Sequence, residues 1–332
     1  RNMWIGAALT GVFATIEIGV NHPQITYYFL FILIAFWVNE LVLSIRKRIL
    51  PHFAKATGLL ALAAVLAVGS NAGMLYYIDS HSSETMRGGS ELTSADGKKQ
   101  DGLGLQYATA WSYGKAETFN MLIPNLYGGT SQGGFSQDGE VAGVLRNYRA
   151  DVSQVPAYWG PQPMTSGPVY LGAVALLLAV LGMFVLRGRS KWWVFVVTLL
   201  AVLLSWGSNF MGFTELFFNH FPMYNKFRTV SMILVIAEWS VPFLMAVVLQ
   251  RLWCGELDRQ RLMKGLRSAV LTVGGIALLF LVFGGALMSF SGQGEDQLPQ
   301  EVASAMRSER ASMMRADAFR SLLFVLLAAG VV

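Results

Sequence analysis

The sequence predicts an all-α polytopic membrane protein of about eight transmembrane helices with one long external loop. Three observations carry this. Of 332 residues, 54% are hydrophobic and only 14% are charged, where a soluble domain carries about 25% charged residues. Seven apolar stretches approach the roughly 17–25 residues needed to cross a bilayer. Basic residues gather at the ends of those stretches rather than along one polar face.

The stretches are Met3–Val20, Ile25–Leu43, Thr57–Ile78, Val169–Leu186, Trp192–Ser208, Val230–Leu249 and Ser268–Phe290; an eighth begins near Ser321. Each is expected to be helical, because lipid cannot satisfy an open backbone. Nine Trp and eleven Tyr suit interfacial belts. Residues 1–78 thus hold helices one to three, 79–166 an external loop, and 167–332 helices four to eight with a second external loop at 291–318. The chain begins without Met and ends inside an apolar run, so it is expected to be an internal fragment.

Charge sets the expected orientation. Arg46, Lys47, Arg48 and Lys55 follow the second stretch, Arg187, Arg189 and Lys191 the fourth, and Arg251, Arg259, Arg261, Lys264 and Arg267 the sixth. Positive charge favours the cytoplasmic side, which leaves the long loop outside. The net charge of +5 is accounted for by this pattern, and nucleic acid is excluded as a partner because no soluble basic face forms. The single Cys254 allows no internal disulfide and no cysteine metal cluster.

Within the long loop, Ser80–Gly104 reads as a polar Gly/Ser-rich linker, Gln106–Tyr127 as an ordered aromatic stretch and Glu140–Tyr148 as a short helix. Gly69–Gly73 and Gly284-Gly285 are expected at close helix contacts.

Three polar clusters border the apolar stretches. Asn21, His22, Gln24, Tyr27 and Tyr28 crowd the first external turn. They form either an interfacial turn or part of a headgroup site. Glu17 lies one turn earlier, and a carboxylate at that depth needs a partner; His22 or a basic residue is expected. Trp111, Tyr113, Lys115, Glu117 and Asn125 combine aromatic faces with hydrogen-bonding groups, as sugar recognition requires, or else form an ordinary loop helix. Lys226 and Arg228 stand at an external end where statistics disfavour cations; they bind a phosphate or snorkel. Glu238, near the middle of its stretch, is expected to face the bundle interior. No Gly-rich phosphate loop and no metal-ligand spacing stands out.

Asn21-His22-Pro23-Gln24-Ile25-Thr26-Tyr27-Tyr28, Trp111–Thr118 with Ile123-Pro124-Asn125, and Asn225-Lys226-Phe227-Arg228 resemble segments of the YfhO family of bacterial membrane proteins, in the same order. That family is similar to GT-C glycosyltransferases. The resemblance implies a GT-C-like fold in the bacterial cytoplasmic (inner) membrane, a polyprenyl-phosphate-sugar donor, and a cell-envelope glycan or other acceptor on the outer face. It implies substrate-lining roles for Asn21, His22, Gln24, Tyr27, Tyr28, Trp111, Tyr113, Lys115, Glu117, Asn125, Lys226 and Arg228. The main catalytic acid is expected upstream, with Glu17 the candidate within this sequence. A divalent metal is left open, with no ligand cluster to hold it. A transporter or lipid flippase and a non-catalytic envelope assembly protein are the competing readings.

Overall fold

A computed structural model describes residues 2–82, 85 and 103–332. Among them the regular structure is entirely helical. The expected linker Ser80–Gly104 falls largely outside the described residues. In chain order the helices are α1 (Met3–Gly19), α2 (Pro23–Arg46), α3 (Leu50–Ser70), α4 (Ala72–Ser82), α5 (Leu105–Ala108), α6 (Glu140–Asn147), α7 (Ala173–Val185), α8 (Ser190–Ser205), α9 (Met211–His220), α10 (Val235–Trp253), α11 (Arg259–Leu287) and α12 (Gln300–Val331).

Among the described residues, four helical segments are long and apolar enough to cross a membrane: Pro23–Arg46, Leu50–Ser70, Val230–Trp253 and Arg259–Leu287. Each keeps large apolar side chains exposed, among them Leu33, Val65, Phe243 and Leu278, as a lipid-facing surface requires. The chain is a helical membrane protein.

Several boundaries differ from the sequence expectation. The stretch Thr57–Ile78 is not one helix. The helix starts earlier, at Leu50 with Pro51 in its first turn, and breaks at Asn71. The Asn71 side chain donates to Ala67 O at 2.9 Å and Thr15 O at 3.2 Å, giving the backbone a local alternative to helix continuation. Val169–Leu186 contains only the 13-residue α7, because Pro168 and Gly172, the latter at φ +93°, keep its first residues extended. Trp192–Ser208 ends at Ser205, and the chain bends by 108° into Gly207–His220, so helix continues past the apolar stretch.

The largest correction concerns 291–318. This is not a loop. From Gln300 the chain is one 32-residue helix that runs through Ser321 without a break. Its buried positions include Val302, Met306, Arg310, Met314, Asp317, Ser321 and Val325, spaced three or four residues apart, as one helix face is. Gly284 admits α12 closely: a Cβ there would meet the Met314 sulfur at 2.9 Å. Gly69 and Gly73 have open space instead, so they mark no helix contact.

The chain forms two compact units. The first comprises residues 1–109, 192–204 and 210–236; the second comprises 110–191, 205–209 and 237–332. In the first, Tyr28, Ile32, Val197, Leu204, Phe217 and Ile233 form the core. In the second, α7, α11 and α12 pack through Leu177, Leu181, Val273, Ala277 and Met314, with Ile123, Leu126 and Trp159 of the loop segment joining them. A smaller core under α6 uses Val141, Leu145, Val152 and Met306.

Helix α12 supplies polar anchors to that segment. Glu309 accepts from Ser136 N at 3.0 Å and Val141 N at 2.9 Å, covering the start of α6. Asp317 accepts from Asn125 N at 2.9 Å, and Ser321 donates to Leu122 O at 2.6 Å. Arg310, 1% exposed, donates to Ala157 O at 2.7 Å, Phe290 O at 2.8 Å and Pro156 O at 2.9 Å, and pairs with Glu295.

A proline inside a helix removes one hydrogen bond and clashes with the preceding turn, at a cost of about 3 kcal/mol. Ser308 is exposed and sits in mid-α12, so Ser308→Pro is expected to lower the melting temperature in detergent clearly while Ser308→Ala does not. Equal melting of both variants would restore the loop.

Candidate functional site

The candidate residues divide between the units. Glu17, Asn21, His22, Gln24, Tyr27, Tyr28, Lys226 and Arg228 fall in the first; Trp111, Tyr113, Lys115, Glu117 and Asn125 fall in the second.

In the first unit the turn between α1 and α2 is shaped by its own residues. Asn21 adopts φ +61°, a left-handed conformation that Asn tolerates better than most residues. His22 accepts from Ile25 N at 3.4 Å and Pro23 opens α2. Both Asn21 and His22 are exposed. Glu17 is half-buried and accepts from the Thr26 hydroxyl at 2.9 Å. Its partner is therefore a neutral hydroxyl, not the expected His22 or basic residue.

Gln24 and Tyr28 are buried rather than open to a ligand, at 6% and 1% exposure. The Gln24 amide donates to Arg228 O at 2.6 Å, to Tyr28 Oη at 3.0 Å and to Thr229 O at 3.3 Å. It thereby fastens the 224–229 turn to α2. The turn is held further by Thr229 N donating to Ala108 O at 3.1 Å, and by Leu103 N donating to Asn225 O at 3.0 Å. Tyr27 donates its hydroxyl to Pro222 O at 2.8 Å, and its ring packs on Phe227. These contacts hold Met223 and Thr229 at φ +61° and +62°. For a β-branched Thr this is a strained backbone that persists only where neighbours impose it.

The clamp grips the main chain of Arg228 and leaves its side chain exposed. The guanidinium donates to Tyr107 Oη at 2.8 Å and lies 5.9 Å from the Tyr107 ring centroid. Among the described residues it pairs with no carboxylate. It borders a groove of about 370 Å³ lined also by Tyr77, His81, Ser82 and Leu103. Tyr77 and His81 stack at 4.0 Å between ring centroids. Lys226 is half-buried two residues before Arg228.

In the second unit Glu117 is the centre, 1% exposed. It accepts from Gly114 N at 2.6 Å, the Tyr158 hydroxyl at 2.7 Å and the Gln162 amide at 3.4 Å. Burial raises its carboxyl above the usual range, and these three donors oppose the rise. Tyr158 is raised by burial and then by the neighbouring Glu117 charge, and Tyr127 is pushed up to about 12 for the same two reasons. Gly160 is required here, since a Cβ would lie 2.8 Å from Glu117 Oε1. The buried Tyr113 hydroxyl lies near Asn120 and the Val169 backbone without meeting hydrogen-bond geometry with either. Trp111 donates its indole N–H to Met164 O at 3.2 Å. Asn125 is half-buried and its backbone is capped by Asp317, while Lys115 is exposed.

Tyr113 and Glu117 therefore organise the loop from within rather than line an open site. Glu238, expected to face the interior, is exposed on the chain surface. The residues the sequence reading passed over are Tyr158 and Gln162, partners of Glu117, and Tyr107, partner of Arg228. Among the described residues no group of three His, Cys, Asp or Glu side chains could hold a metal ion.

Folding with a raised acid pKa favours the protonated form. The folded chain keeps the Glu117 proton at pH values where the unfolded chain has lost it, so stability falls as pH rises from the ordinary carboxylate range to the raised folded value. Thermal melting across that window should show this decline, and Glu117→Gln should flatten it. An unchanged slope in Glu117→Gln would assign the titration elsewhere.

Comparison of the chain with protein-family models, with curated proteins and with solved structures found no match.

Proposed function

We propose that this chain belongs to a GT-C-type membrane glycosyltransferase, similar to the YfhO family, acting on the outer face of the bacterial cytoplasmic membrane. It transfers a sugar from a polyprenyl-phosphate donor to a cell-envelope acceptor. In this reading α1, α3 with α4, α7, α8 with α9, and α12 also cross or enter the bilayer beside the other long apolar helices. That gives about eight crossings with residues 79–166 outside.

The observation that supports it is the exposed guanidinium of Arg228 beside an aromatic groove. Arg presents a planar fork that matches phosphate oxygens bidentately. Tyr and His rings cover apolar sugar faces, and hydroxyls bond sugar hydroxyls. A main-chain clamp that spares the side chain keeps the cation in place without neutralising it. In the transfer, the acceptor oxygen bonds to the anomeric carbon as the bond from that carbon to the phosphate oxygen breaks. Arg228 and Lys226 stabilise the departing polyprenyl phosphate. A carboxylate accepts the acceptor proton, with Glu17 the candidate within this chain.

A charge-assisted contact contributes roughly 1.5–3 kcal/mol. Binding of a fluorescent polyprenyl phosphate to the purified protein should therefore weaken about tenfold in Arg228→Lys and up to about a hundredfold in Arg228→Ala. Melting should stay unchanged, since the clamp holds backbone atoms. Unchanged binding in Arg228→Ala would remove the phosphate role. Lost binding together with lost stability would make Arg228 a structural anchor of its turn.

A further inference from the structure

A second cationic groove lies within the second unit, where the C-terminal end of α7 meets the N-terminal end of α11. It has a volume of about 420 Å³ and is lined by Phe184, Asp258, Gln260, Arg261, Lys264 and Ser268. Gly265 lets the two helices approach here, because a Cβ at that position would lie 2.5 Å from Val185 Cγ1 and 3.3 Å from Phe184 Cβ.

Two cations converge on one helix end. Arg261 donates to Phe184 O and Leu186 O, each at 3.4 Å, and Lys191 donates to Met183 O. A helix C-terminus carries only about half a negative charge, too little to neutralise the Arg261 guanidinium. Lys264 adds a third, exposed on the groove rim. The groove's one carboxylate, Asp258, caps α11 by accepting from Arg261 N at 3.0 Å and offsets one of these charges, which leaves the groove positive. Below this polar end both helices are apolar, and α11 is long enough to span a bilayer. The groove thus offers excess positive charge, with hydroxyl and amide groups, at the polar limit of a lipid-facing surface.

We propose that this groove binds the headgroup of an anionic phospholipid. Lys264 and Arg261 contact the phosphate, Gln260 and Ser268 bond headgroup hydroxyls, and the acyl chains follow the apolar faces of α7 and α11 beside Phe184. Basic pockets between membrane helices take anionic headgroups in this manner. A free anion lacks the acyl chains that the adjoining apolar helix faces would receive, so the occupant is a lipid. The site is independent of Arg228 and of the glycosyltransferase reading.

The test is equilibrium binding of fluorescent short-chain phosphatidylglycerol to the purified protein in a neutral detergent. Unlabelled phosphatidylglycerol should displace the probe. Phosphatidylcholine and inorganic phosphate should not displace it at the same concentrations. Lys264→Glu should weaken binding at least about tenfold, the size of one charge-assisted contact, and Lys264→Gln should weaken it less. The exposure of Lys264 lets the fold survive both, as melting would verify. Arg267→Glu makes the same charge change one turn along α11, outside the groove lining, and should weaken binding clearly less than Lys264→Glu, because it alters the local charge without removing a headgroup contact. Displacement by phosphatidylcholine equal to that by phosphatidylglycerol would overturn the proposal. Displacement by inorganic phosphate equal to that by the lipid would do so as well. Unchanged affinity in Lys264→Glu, or an equal loss in Arg267→Glu, would also overturn it, the latter by reducing the effect to diffuse charge.

Discussion

A buried arginine governs the second unit. Arg310 lies almost wholly out of water, and an isolated charge in such a place costs several kcal/mol. It is retained because its donors are spent on the Ala157, Phe290 and Pro156 carbonyls and on Glu295. The three carbonyls are loop backbone groups whose hydrogen bonding Arg310 completes. The same bonds that make the charge tolerable also fix the path of residues 156–158 and 290–295. Tyr158, which donates to Glu117, follows directly from Ala157. The polar centre of the loop segment is thereby tied to α12, with Glu309, Asp317 and Ser321 adding neighbouring ties along the same helix.

The first unit solves a similar problem with a neutral group. Its strained turn carries Thr229 at φ +62°, and the Gln24 amide binds two consecutive carbonyls of it. An amide does this without bringing a charge that would compete for the Arg228 side chain. The backbone of the turn is held, while the Arg228 guanidinium is exposed and donates to the Tyr107 hydroxyl, an arrangement the proposed phosphate role would use.

The membrane class was legible because lipid imposes a crude rule: long apolar helices. Pro23–Arg46 and Arg259–Leu287 satisfy it and were visible. Helix ends were less legible. Asn71 stops α3 through a side-chain bond to Thr15 O, a contact 56 residues away in sequence, and no local pattern announces it. α12 was hidden because its buried face includes Arg310, Asp317 and Ser321, which a hydropathy window scores as loop. Only their spacing, every three or four residues with Val302, Met306, Met314 and Val325, marks one helix face. Gln24 was visible as part of a polar turn, but its role was not. A ligand-binding amide and a backbone-binding amide look alike until the carbonyls of residues 228 and 229 are placed beside it. Glu117 was picked out among aromatic residues for sugar contact, yet its partners Tyr158 and Gln162 lie more than 40 residues on, in a stretch that reads only as proline-rich.

The central structural claim is that Arg310 holds the loop segment to α12. Hydrogen–deuterium exchange of Arg310→Met in detergent tests it most directly. Removing the cation leaves the buried Ala157 and Phe290 carbonyls without this donor and leaves Glu295 with only Arg307 and the Ser291 hydroxyl. Peptides covering residues 127–159 should then exchange faster, since Ala157, Tyr158 and Trp159 donate their amides to Gly133, Thr130 and Tyr127. Peptides from α2 in the first unit should keep their protection. Unchanged protection of residues 127–159 would contradict the claim, and would mean that apolar packing alone holds the segment in place.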